Sequence, residues 1–178
     1  MEQNELERGF FPQNPCSEVK AILKEAFFWE TVNETSPFGS EYGADTLIGF
    51  VEWRAKNPQG KVLEFAFLEI ESFGFEHTHL KVLDENKVRN LVSQYQLDPF
   101  AQDWIVIAAA FAQYVWEGNI DSALLSQAVI STRRQKTAFI LEYWNPSVRE
   151  ERAEKLEVML RSLEVIKRNS SNINLEEP

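Results

Sequence analysis

Residues 27–47, FFWETVNETSPFGSEYGADTL, set four carboxylates (Glu30, Glu34, Glu41 and Asp45) among aromatic rings. A carboxylate at the edge of an aromatic cleft loses hydration, and its pKa rises toward the range where it exchanges protons near neutral pH. Glu34, Glu41 and Asp45 flank the break Pro37-Phe38-Gly39, with Trp29 and Phe38 as the roof of such a cleft. The same residues also suit a structural task. Ser40 or Asp45 can cap a following helix, and Glu41 favours its positive end. Both readings stand on the sequence. The binding candidates here are Trp29, Glu34, Phe38, Gly39, Glu41 and Asp45, and no catalytic residue is assigned.

Other chemistry is sparse. The two histidines, His77 and His79, lie beside Glu76 in FEHTH and offer three metal-ligating side chains without an evident fourth. No metal or cofactor is expected from them. TRRQK, residues 132–136, is the compact basic cluster. Arg133 and Arg134 are its candidates for docking a partner, and a solvated basic turn is the plainer alternative. Gly-rich phosphate loops, the GxSxG elbow and the HExxH helix are absent. Cys16, the single cysteine, excludes an internal disulfide and a Cys-rich zinc site.

These groups must be positioned by an ordinary folded chain. Hydrophobic residues make up 44% of the 178, enough for one domain, expected over residues 1–168 with a disordered tail at 169–178. The longest apolar run, WIVIAAAFA, is about half of the ~18 residues a membrane span needs. The acidic, polar start lacks the order of a signal peptide, so no membrane association and a cytoplasmic location are expected. A formal charge of −10 repels a phosphate backbone and argues against nucleic-acid binding.

Hydrophobic periodicity predicts a mainly α, single-domain multi-helix bundle. After a loose arm of a dozen residues, a helix should begin near Ser17 as its cap and run to Trp29–Val32, burying Val19, Ile22, Leu23, Ala26 and Phe27. Residues 44–73 admit two readings. NPQG at 57–60 suits a hairpin turn, giving an α+β fold with strands over 46–71. The apolar spacing of Val62, Leu63, Ala66, Phe67, Ile70 and Phe73 instead traces one helical arc, and helix–loop–helix is preferred. A helix then ends at Asp98-Pro99, followed by one apolar nearly all round and stopped by Gly118. Asp121 should cap the next helix. The last begins near Ser147 and turns Leu156, Met159, Leu160, Leu163 and Ile166 inward. Trp29, Trp53, Trp104, Trp116 and Trp144 are read as core or interface rather than a cofactor box.

Residues 27–55 and 103–136 resemble a family of uncharacterised bacterial proteins. The shared pattern is an aromatic pair, an acidic spacer, PFG, a polar pair, Gly and Asp before an apolar run, with a later segment similar to IAAAFAQYVWEGNID and RRQ. The matching positions are Phe28, Trp29, Glu34, Pro37, Phe38, Gly39, Gly43 and Asp45, then Gln113, Glu117, Gly118, Asp121 and Gln135. Glu30 and Asn33 stand where the pattern leads one to expect aspartates. The resemblance implies a helical protein and supplies no activity.

The expected function is therefore a non-enzymatic module that binds another protein, for example a small acidic protein that neutralises a basic partner. The alternatives are a small-molecule enzyme using the 34–45 carboxylates and a His-based metal-binding domain.

Overall fold

The structure, a computed structural model, describes residues 10–95 and 99–173. Its described residues form eight α-helices and no strand: α1 (Ser17–Ile22), α2 (Glu41–Lys56), α3 (Val62–Ser72), α4 (Glu85–Tyr95), α5 (Pro99–Glu117), α6 (Ser122–Gln135), α7 (Ala138–Leu141) and α8 (Pro146–Ile173). The mainly α expectation holds, and the hairpin alternative over 46–71 does not. NPQG is a tight turn, with Gly60 N donating to Asn57 O at 3.0 Å, but it joins two helices.

The centre is α5. Every residue from Ala101 to Val115 is buried, and α2, α3 and α6 pack against it. A helix without a polar face has to be covered on all sides, and the rest of the fold supplies that cover. α8 closes over α6 and buries Leu156, Met159, Leu163 and Ile166, with Leu160 half-buried. A smaller cluster, Val88 with Phe139 and Ile140, ties α4 to α7. Among the described residues no helix is long and apolar enough to cross a membrane.

Several boundaries differ from the sequence expectation. The first helix starts after Cys16, with no side-chain cap, and stops at Ile22. A separate 3₁₀ turn, Ala26–Trp29, follows. Adjacent residues on an α-helix point about 100° apart; the break brings Phe27 and Phe28 into the core together, with ring centroids 4.2 Å apart. The arm is not loose where it is described. Phe11 packs edge-on against Trp29 and Phe38, at 5.7 and 5.5 Å; residues 1–9 lie outside the described residues. At the other end α8 continues to Ile173. Asn169 Nδ2 reaches Glu18 Oε1 at 3.1 Å and helps hold that end, while 174–178 lie outside the described residues.

Two glycines are fixed by geometry. Gly118 ends α5 with φ +73°, a left-handed conformation that costs an L side chain ~1 kcal/mol or more. At Gly39 a Cβ would sit 1.6 Å from the Asn33 carbonyl oxygen, so an alanine forces the loop apart. In urea unfolding, Gly118→Ala should lose about 1 kcal/mol and Gly39→Ala clearly more, about 3 kcal/mol. Equal losses would contradict the close approach at Gly39.

Candidate functional site

The 30–40 loop is built by its own polar residues. Asn33 Oδ1 accepts from Thr35 N and Oγ1 at 2.9 and 2.8 Å, and Asn33 Nδ2 donates to Glu30 Oε2 at 2.9 Å. Ser36 Oγ donates to Glu30 O and accepts from Phe38 N. Glu30 and Asn33, the departures from the resembling pattern, thus hold the loop in shape. Ser40 caps α2 by accepting from Gly43 N at 3.0 Å, as the structural reading expects.

Among the described residues the loop gathers no carboxylate cleft. Phe38 is wholly buried, and Trp29 is half-buried with its Nε1 donating to Leu23 O at 2.8 Å. Neither roofs a pocket for Glu34, Glu41 and Asp45, which are exposed. Glu41 and Asp45 share one side of α2, and Glu34 stands apart near α8. Gly39 is spent on the close approach described above.

The basic cluster divides. Arg133 is exposed and pairs with Glu164 at 3.4 Å. Arg134 is only 5% exposed and is no part of a docking patch. Its Nε and Nη2 edge grips both oxygens of Asp103, a carboxylate buried in the second turn of the core helix. Its Nη1 donates to three loop carbonyls, His79, Leu80 and Val82, at 3.1, 3.1 and 2.9 Å. Gln135 Nε2 adds a bond to Asp103 at 2.9 Å. Burial pulls the Arg134 pKa down, the Asp103 carboxylate pushes it up, and the net direction is up.

The EHTH segment is thereby a clamped connection. Gln102 Nε2 holds Glu76 O, Gln127 Nε2 holds Leu80 O, and His77 stacks on Phe67 while facing Glu71 at 3.0 Å. Among the described residues no group of three His, Cys, Asp or Glu side chains is placed to hold an ion.

A second buried arginine escaped the sequence reading. Arg152, on α8, is 0% exposed. Its Cζ lies 3.8 Å from the ring centre of Trp104 on α5 and 4.7 Å from that of Trp144, just before α8. Nη1 donates to Glu34 O at 3.2 Å, while Nε and Nη2 have no hydrogen-bond partner among the described residues. Burial pulls its pKa well below an ordinary arginine's, only partly opposed by the Glu34 carboxylate. The position was legible: Arg152 stands one turn before Leu156 on the inward stripe of α8.

Segments 27–55 and 103–136 do meet, since α2 packs on α5. Their polar residues do not form one rim. Gln113, Glu117 and Asp121 gather instead at the α2–α3 turn, beside an open cleft of about 820 Å³. Gln113 Nε2 donates to Glu117 Oε2 and Asp121 Oδ1, both at 3.0 Å. Arg54 pairs with Glu117 at 2.5 Å and donates to Gly60 O at 2.7 Å. Asp121 lies at the start of α6 but its carboxylate does not cap that helix; Oδ2 accepts from Val62 N at 3.0 Å and caps α3. Arg54, Glu117 and Asp121 are thus bound to one another or to Gln113, whereas Glu64, which also lines the cleft, is in no ion pair among the described residues. Comparison with protein-family models, curated proteins and solved structures finds no match.

Breaking a buried ion pair from one side strands the other charge, at about 3–5 kcal/mol. Asp103→Asn should lose about that much in chemical denaturation, whereas Arg133→Ala, at the exposed neighbour, should change stability by less than about 0.5 kcal/mol. Comparable losses in both variants would refute the division of labour within TRRQK.

Proposed function

We propose that the protein is a cytoplasmic, non-enzymatic binding module whose outer α2–α3 face receives a protein partner of positive charge. The supporting observation is a set of uncompensated carboxylates. Glu41, Asp45 and Glu52 on α2 and Glu64 and Glu69 on α3 take part in no ion pair among the described residues. Apolar side chains stand among them, Ile48 at 38% and Leu68 at 54% exposure.

The two helices are close enough for their charges to act together. A Cβ placed on Gly49 would lie 3.3 Å from Glu69 Oε1, so the Glu69 carboxylate rests over the bare backbone of α2. Burial and then the charge of Asp45 push the Glu69 pKa up. An approaching cation relieves this repulsion, and the net charge of −10 accelerates encounter with a basic surface. The exposed apolar residues supply the non-directional part of the contact.

Two measurements bear on this reading. Glu69 holds its proton more tightly folded than unfolded, so its contribution is complete below the ordinary carboxylate pKa and fades as pH rises through the raised folded value. Glu69→Gln should therefore melt above the parent at neutral pH and converge with it below pH ~4; a difference constant across that range would remove the repulsion. The second is affinity capture from native lysate, followed by binding assays with the purified partner. A basic protein should be retained at low salt, released by high salt, and lost on Asp45→Lys/Glu69→Lys but not on Glu154→Lys at the exposed side of α8. A partner indifferent to the double reversal would place the interface elsewhere.

A further inference from the structure

The two buried arginines work alike up to one difference. Each uses Nη1 to hold backbone carbonyls of a long connection: His79, Leu80 and Val82 for Arg134, Glu34 for Arg152. Each lies between elements that must be locked together. In Arg134 the remaining edge, Nε with Nη2, is filled by both oxygens of Asp103. In Arg152 the same edge has no hydrogen-bond partner among the described residues. Two parallel N–H groups fit a planar pair of oxygens, and a guanidinium keeps its charge in a protein interior.

We propose that the Nε–Nη2 edge of Arg152 is a binding site for a small carboxylate, held in the plane of the guanidinium beside Trp104 and Trp144. The charge balance selects this class. One buried positive charge is neutralised by one negative charge; a phosphate dianion would leave a charge of its own in apolar surroundings. The two indole rings that flank the guanidinium, at 3.8 and 4.7 Å from its Cζ, leave its in-plane edge as the direction for a flat carboxylate. A single water oxygen serves two parallel donors less well than a carboxylate does.

The chain holds one nearby competitor. Glu34 presents its carbonyl to Nη1, and its carboxylate acts on Arg152 electrostatically while the residue stays exposed. Trp144 is the half-buried wall of the cage and Trp104 the buried one. A ligand therefore enters by displacing Trp144. Once seated, it ties the 30–39 loop, α5 and α8 together through one guanidinium, so binding raises thermal stability by mass action.

The test uses the full chain, with sodium acetate as probe and sodium chloride and sodium phosphate at matched ionic strength as comparisons. Acetate should give a saturable change in tryptophan fluorescence, a rise in Tm, and a downfield shift of the Arg152 Nε–H resonance. Arg152→Lys keeps a charge but lacks the fork, and should weaken acetate at least about tenfold; Arg89→Lys, at the exposed Glu85 pair, should not change it. The absence of a saturable acetate response, an equal response to chloride, or saturation by phosphate alone overturns the site. If Arg152→Lys does not fold, the resonance in the parent chain decides: an unshifted Nε–H in acetate overturns the proposal. So does a signal already downfield without acetate that moves back in Glu34→Gln, since the fork would then belong to Glu34.

Discussion

An α-helix apolar on every side, with one carboxylate in its interior, is the constraint from which this fold follows. Asp103 is 0% exposed. A charge so placed costs several kcal/mol unless it is paired and fully hydrogen-bonded. Arg134 and Gln135 at the end of α6 meet that requirement, which fixes where α6 crosses α5. The other face of the Arg134 guanidinium then has to be satisfied as well. Three carbonyls of the connection between α3 and α4 turn inward to do so. One buried carboxylate thus sets a helix crossing and the path of a long connection.

Arg152 performs the same joining task against Trp104, the residue after Asp103, without a carboxylate. Cation–π contact with two indole rings supplies part of what an ion pair would, since a ring's negative face attracts a guanidinium and desolvation strengthens the attraction. It does not accept hydrogen bonds. The contrast between Arg134 and Arg152 is therefore one of completeness: the first is saturated, while the second has donors left over. Buried polar groups are satisfied in the great majority of folded proteins, so the exception marks a place to look for a missing partner.

The bundle was legible where local physics decides. The all-round apolar character of residues 104–115, the stop at Gly118, the cap at Ser40 and the inward stripe of α8 all appear in the structure. NPQG misled toward a hairpin because four residues define a turn without specifying what they join; the spacing of Val62, Ala66 and Ile70 was the better guide. The candidate sites were less legible. Arg133 and Arg134 are neighbours in a basic run, yet one is solvated and the other is the keystone of a buried pair. That separation is set by a carboxylate thirty-one residues away in sequence, which no local pattern encodes. Asp121 shows the same effect: placed to cap its own helix, it caps α3 because Val62 N is brought within reach.

The fate of each charge separates structure from recognition. At the α2–α3 turn, Arg54, Gln113, Glu117 and Asp121 consume one another's hydrogen bonds, so this junction, despite the cleft beside it, is explained by closure of the hairpin onto α5 and α6. On the outer face of the same hairpin the carboxylates are left without ion-pair partners among the described residues, and burial, then the charge of Asp45, push the Glu69 pKa up. Folding alone would favour a neutral residue at that position. The chain thus settles its polar groups at the turn and leaves on the outer face carboxylates that pair with no described cation.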